Sequence, residues 1–131
     1  MAIKYKYVRK FNPQDPTAPQ KVYAMAVHEN VFKLKELARE LAARSTTASE
    51  GDTYAVLVGM RDLIREHLER SDKVVIDGIV SIAINISSEG AASEEEFRPS
   101  MIKGTKAVYQ QDAEMKEFTS KVKCEKIPNK K

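Results

Sequence analysis

Hydrophobic and polar positions alternate over residues 3–9, with Ile3, Tyr5 and Tyr7 on one side and Lys4, Lys6 and Val8 on the other. Period-two alternation predicts a β-strand, because successive side chains of a strand point to opposite faces. Residues 21–27, Lys-Val-Tyr-Ala-Met-Ala-Val, read as a second strand. The connection at 12–19 holds Pro13, Pro16 and Pro19, which fix φ and remove backbone donors. The pattern predicts a β-hairpin with a long, stiff loop.

The period changes after residue 30. Over 31–44, Leu34, Leu37, Ala38, Leu41 and Ala42 fall at helical spacing, with Lys35, Glu36, Arg39 and Glu40 outside. Residues 45–52 are turn-forming. Within them Thr47 and Glu50 have the spacing of a capping box, in which hydroxyl and carboxylate each satisfy a free backbone donor. A second helix is predicted at 48–70, and it is apolar on two sides. Tyr54, Leu57, Val58, Ile64 and Leu68 form one stripe, and Val56, Met60 and Leu63 form part of another. Such a helix needs two covers. The first helix supplies one, and the same helix of a second subunit is the expected other. Leu57, Met60, Leu63, Ile64 and Leu68 are the expected dimer-interface residues.

Residues 73–86 return to strand character, with Ile82, Ile84 and Ile86 alternating and Asp77-Gly78 as the hairpin turn. Residues 87–96 are polar and acidic, so they predict an exposed loop or arm tip. A strand at 105–110 and a short helix at 112–122, built on Ala113, Met115, Phe118 and Val122, complete the order. The charged tail from Lys123, with Pro128, is expected to fray.

Composition narrows the function classes. One cysteine, Cys124, rules out a disulfide framework and a cysteine-based zinc site within one chain. The first residues lack the apolar core of a signal peptide, and no apolar run approaches the roughly 20 residues of a membrane span. The expectation is a soluble, cytoplasmic protein. The net charge of +3 is unevenly spread. Residues 1–27 set Lys4, Lys6, Arg9, Lys10 and Lys21 against Asp15 alone. Residues 98–131 set Arg98, Lys103, Lys106, Lys116, Lys121, Lys123, Lys126, Lys130 and Lys131 against Asp112, Glu114, Glu117 and Glu125. Basic ends suit a polyanion, and they also suit an ordinary solvated surface. The N-terminal cations, interleaved with Tyr5, Tyr7 and Phe11, fit nucleic acid. They equally fit a lysine-protected edge strand, the preferred reading. His28 and His67 stand far apart without a metal-ligand pattern, and the five glycines form no phosphate loop. No enzyme, metal, cofactor or small-molecule substrate is expected.

Several segments resemble the HU/IHF superfamily of bacterial histone-like DNA-binding proteins. Lys35-Glu36-Leu37-Ala38 with the turn at 45–52 is similar to that family's first helix and turn. Ser71-Asp72-Lys73-Val74-Val75-Ile76-Asp77-Gly78 is similar to its Gly-Asp-Lys-Val entry into the sheet, and residues 109–116 to the start of its C-terminal helix. The likeness covers 28–122. The loop at 12–19, Asn-Pro-Gln-Asp-Pro-Thr-Ala-Pro, resembles the extended HU-like group of Bacteroides-type bacteria. So does Ile86-Ser87-Ser88-Glu89-Gly90-Ala91 with Glu94-Glu95-Glu96-Phe97.

The resemblance implies an α+β fold. It has a two-helix base, an antiparallel saddle with an arm, a short C-terminal helix and an extra N-terminal hairpin. The corresponding division is 1–27 hairpin extension, 28–122 DNA-binding domain and 123–131 flexible tail. It further implies an intertwined homodimer that grips double-stranded DNA by phosphate backbone and minor groove, with arm-tip prolines wedged between base steps.

Here the sequence departs from the pattern. The arm, about residues 87–102, carries Glu89, Glu94, Glu95 and Glu96 and only Arg98 as a cation before the return strand. The Arg98-Pro99 pair lies on the return side, away from the tip, and is expected to act mainly as a rigid bend. The family's Gly-Phe-Gly turn reads Asp77-Gly78-Ile79-Val80-Ser81. The expected DNA contacts are Lys73, Arg98, Pro99, Lys103, Lys106, Lys121 and Lys123, with Lys103 and Lys106 leading. Two functions stay open: a non-sequence-specific, nucleoid-associated DNA-binding dimer, and a protein-interaction dimer that kept the fold while its acidic arm lost DNA.

Overall fold

The computed structural model describes residues 2–44 and 47–128, which fold as two units, 1–31 with 119–131 and 32–118.

In the first unit β1 (Ala2–Lys10) pairs antiparallel with β2 (Lys21–Ala26), from Tyr5 opposite Ala26 to Lys10 opposite Lys21. The proline-rich loop between them is held by side chains acting as backbone mimics. Asn12 Oδ1 accepts from the Gln14 amide at 2.9 Å, and Asp15 Oδ1 from the Thr17 hydroxyl at 2.6 Å. The tail differs from expectation. Lys123–Lys126 does not fray but forms a further strand, parallel to β1, with Ala2 opposite Lys123 and Tyr5 opposite Lys126. The order hairpin strand, β1, tail strand makes β1 central. The edge-strand reading of its lysines is therefore wrong, because the tail covers the open edge of β1 with its own backbone. Lys4 Nζ donates to Glu29 Oε1 at 2.8 Å, and that bond and charge raise the Lys4 pKa above its ordinary value.

In the second unit α1 (Leu34–Arg44) and α2 (Glu50–Glu69) pack on each other, burying Ala38 completely. The N-cap of α2 is Ser49 rather than Thr47. Its hydroxyl accepts from the Asp52 amide at 3.0 Å, and Glu50 faces Arg39 Nε at 3.4 Å instead of closing a box. Ser45 and Thr46, at the start of the expected turn, lie outside the described residues. The helix α2 ends in a Schellman arrangement: the Asp72 amide donates to the His67 carbonyl and the Ser71 amide to that of Leu68, with Ser71 at φ 69°.

Then β3 (Val74–Ile76) and β4 (Val80–Ser88) form a hairpin, and β5 (Ile102–Gln111) adds on the far side of β4. The 77–79 connection needs Gly78, whose φ is +80° and whose Cβ position lies only 3.0 Å from Glu114 Oε2. The helix α3 (Ala113–Lys121) is tied to this turn by one carboxylate. Asp112 caps α3 by accepting from the Met115 amide at 2.8 Å and also accepts from the Gly78 amide at 2.5 Å. The tail strand Lys123–Lys126 is β6.

The chain is α+β as expected, with both the two-helix base and the antiparallel sheet in place. The core is thin. Among the described residues Ala38 alone is buried, while Val56, Met60 and Leu63 of α2 stand 70%, 43% and 53% exposed. Leu57, Ile64 and Leu68 are half-buried. One stripe of α2 is thus partly covered within the chain and the other is bare.

Candidate nucleic-acid interface

The register gives the β3–β4–β5 sheet two chemically distinct faces, because directly opposed residues project to the same side. Ser81, Ala83, Asn85 and Ser87 of β4 stand beside Gln110, Val108, Lys106 and Gly104 of β5. Small, hydroxyl and amide groups predominate there, and they let another molecule approach the backbone closely. The other face carries Ile82, Ile84 and Ile86 beside Tyr109, Ala107 and Thr105, joined by Val74 and Ile76 of β3. A sheet built this way can turn its apolar side inward and offer its polar side to a polyanion.

Lys106 is the cation of the polar face. It sits opposite Asn85, is exposed, and among the described residues has no ion-pair partner. Lys103 falls where the register shifts, between Gly104 opposite Ser87 and Ile102 opposite Ser88. Its Nζ reaches to 3.9 Å from Glu89 Oε1, with both side chains more than half exposed. Exposed pairs of this kind contribute about 0–1 kcal/mol, so a phosphate competes readily for Lys103 while Glu89 opposes its approach.

The arm lies beyond these lysines, and every residue from 84 to 100 is exposed. The β4–β5 pairing carries through to Ser88, and the Glu89 amide donates to the Met101 carbonyl at 2.9 Å. Glu94, Glu95 and Glu96 occupy the connection. Arg98 Nη1 is drawn onto the Glu95 carbonyl at 3.3 Å. Pro99 opens a short 3-10 turn, Pro99–Met101, that leads straight into β5. The position is a bend at the root of the return strand.

The remaining candidates are dispersed. Lys73 lines an open cavity of about 560 Å³ with Arg65, Leu68, Asp72 and Ile84 at the end of α2. Lys121 closes α3, and Lys123 opens β6 in the first unit. The structure therefore groups Lys103 and Lys106 on one strand, while Lys73 and Arg98 belong to other segments of the second unit and Lys121 and Lys123 to the first unit. Two features escaped the sequence reading. Glu89 as the partner of Lys103 shows only once strand register is known. The division of the sheet into a polar and an apolar face was half visible, in Ile82, Ile84 and Ile86.

His67 Nδ1 lies 2.9 Å from Asp72 Oδ2, with both side chains about half exposed at the end of α2. Among the described residues no three His, Cys, Asp or Glu side chains gather as a metal site.

Comparison with known proteins gives a consistent picture. The model of a family described as "HU domain fused to wHTH, Ig, or Glycine-rich motif" matches residues 1–126. A solved structure from Bacteroides vulgatus, described as a bacterial DNA-binding protein, superposes with a TM-score of 0.68 at 10% identity, over 96% of this chain and 48% of that one. This chain spans about half the length of that protein. The Anabaena HU–DNA cocrystal structure superposes with a TM-score of 0.50 at 19% identity, over 69% of this chain and 99% of HU. At these identities the two structures show a shared fold. No curated protein sequence matches.

Proposed function

The chain belongs to the family of HU domains fused to a wHTH, Ig or glycine-rich motif, and from that premise we propose that it binds double-stranded DNA without sequence specificity, as an architectural, nucleoid-associated homodimer. The observation that carries the reading is the polar face of the β3–β4–β5 sheet with Lys106 on it. Small side chains bring backbone and lysine ammonium groups against phosphate and sugar, which position a protein on DNA without reading its sequence. Affinity then comes mainly from released counterions and falls steeply with salt. Lys103 and Lys106 are the principal contacts. Lys73, Arg98, Lys121 and Lys123 are secondary ones, and Pro99 shapes the return of the arm. The polar face of the sheet and the root of the return strand would lie along the minor groove, with the acidic arm tip, Glu94, Glu95 and Glu96, held outside it. We place the protein in the cytoplasm with the nucleoid and assign it no enzymatic role. Among the described residues no helix is long and apolar enough to cross a membrane.

The dimer is supported by what one chain leaves bare. Val56, Met60 and Leu63 of α2 stay 70%, 43% and 53% exposed in one chain, and a helix apolar on two sides needs a second cover. A two-fold contact through α2 would cover Met60 and Leu63 of the bare stripe and complete the covering of the half-buried Leu57, Ile64 and Leu68. We read 28–122 as the DNA-binding domain and 1–27 as its extension, now with β6 added to the sheet of the extension.

One observation favours a second reading, a protein-interaction dimer without DNA affinity. Glu89 stands beside Lys103, and Glu94, Glu95 and Glu96 cluster on the arm. Lys103→Glu with Lys106→Glu separates the two. Fluorescence anisotropy on a labelled duplex should show at least a tenfold loss of affinity if the saddle grips DNA, and no change if it does not.

A further inference from the structure

The sheet of the first unit also has two unlike faces. Its register sets Ile3, Tyr5, Tyr7 and Arg9 of β1 beside Ala26, Ala24 and Val22 of β2 and beside Cys124 and Lys126 of β6. That side is aromatic and apolar, and its Lys126 Nζ lies 4.6 Å from the centre of the Tyr7 ring. The opposite side collects Lys4, Lys6, Val8 and Lys10 of β1, Lys21, Tyr23 and Met25 of β2, and Lys123 and Glu125 of β6. Five lysines from three strands thus share one face. Glu29 engages Lys4, and Glu125 stands beside it in the register. Lys6, Lys10, Lys21 and Lys123 are exposed and, among the described residues, have no carboxylate partner. Lys10 Nζ lies 5.6 Å from the centre of the Tyr23 ring, which fixes a flat aromatic surface among the cations.

From this juxtaposition we infer that the lysine face of the β1–β2–β6 sheet is a second DNA-backbone site, separate from the saddle. Lysines two positions apart on a strand are about 7 Å apart, the same scale as successive phosphates of a nucleic-acid strand. Lysine acts as a point charge on phosphate without selecting a base. The apolar groups on this face are few: Val8 stands opposite Tyr23 and Met25 follows on β2, a short strip bordered by Lys6, Lys10 and Lys21, and an aromatic ring set among cations suits a polyanion. The tail strand is essential to the site, since β6 contributes Lys123 and covers the edge of β1. The inference rests on the DNA-binding reading and extends it, because the saddle alone accounts for fewer phosphate contacts.

The test uses the full chain on a labelled duplex over a salt series. It compares wild type, a variant carrying Lys6→Gln, Lys10→Gln, Lys21→Gln and Lys123→Gln together, and Lys106→Glu. Each phosphate contact contributes about 0.9 to the slope of log affinity against log salt. The fourfold variant should therefore lose up to about 3.6 from that slope and at least tenfold in affinity at low salt. If it keeps the wild-type affinity and slope while Lys106→Glu weakens binding, the second site is overturned and the saddle stands. Absence of salt-sensitive binding by the wild type would remove both. Acetylation footprinting of the unaltered protein supplies a check that needs no variant. Saturating DNA should protect Lys6, Lys10, Lys21 and Lys123 several-fold, and unchanged reactivity overturns the inference. Protection by anionic phospholipid vesicles but not by DNA also overturns it, in favour of a membrane surface.

Discussion

Ser71 holds φ at 69°, the left-handed conformation at the end of α2 that glycine adopts without cost. The chain at this point resembles a Gly-Asp-Lys-Val entry with serine in the place of glycine, so the strain belongs to this sequence rather than to the turn. The Schellman bonds from Ser71 and Asp72 and the Asp72–His67 contact hold it in place. Ser71→Gly should therefore raise unfolding stability by about 0.5–1 kcal/mol, read from the midpoint of a urea titration. An unchanged or lowered midpoint would mean that the serine side chain contributes more than its backbone costs. Gly78 and Asp112 show the converse, where the residue types match the geometry. Asp77-Gly78 was readable as a turn, but the two bonds of Asp112, one to the turn and one to α3, come from residues far apart in sequence.

Elements with a full period were legible in the sequence, and those whose partner lies elsewhere in the chain were not. Both long helices and the hairpin strands follow from their spacing. The helix α1 begins at Leu34, after the Lys33 amide has donated to Glu36 Oε2, and its predicted first turn does not form. The strand β6 is short, charged and only four residues long, Lys123–Lys126, and its alternation is too brief to register against a tail-like composition. Its stability is borrowed from β1, which no local pattern reports. Removing 123–131 should accordingly speed hydrogen exchange at the β1 amides by more than tenfold and leave β4 amides as they were. Retained protection in β1 would show that the hairpin is self-sufficient. The same dependence on register explains the candidate site. Lysines 103 and 106 were identifiable as cations on a strand, but only pairing shows that one faces Asn85 on the polar side and the other is drawn toward Glu89.

For the whole molecule, the chain buries only Ala38 among its described residues and leaves Val56, Met60 and Leu63 exposed, surface that the proposed dimer would cover. Light scattering in dilute buffer should give about twice the 14.8 kDa chain mass. Met60→Glu with Leu63→Glu should lower that mass or unfold the protein. A wild-type monomer at micromolar concentration would refute the interlocked base. A dimer would present two polar sheet faces and two acidic arms, so its hold on DNA would run through the saddle rather than the arm tips. The most direct test is the salt dependence of duplex binding by fluorescence anisotropy. Micromolar or tighter binding at low salt that weakens steeply as salt rises, is indifferent to duplex sequence and is lost in Lys103→Glu/Lys106→Glu is the predicted result. No binding at low salt, or binding that neither salt nor that double variant disturbs, would contradict it.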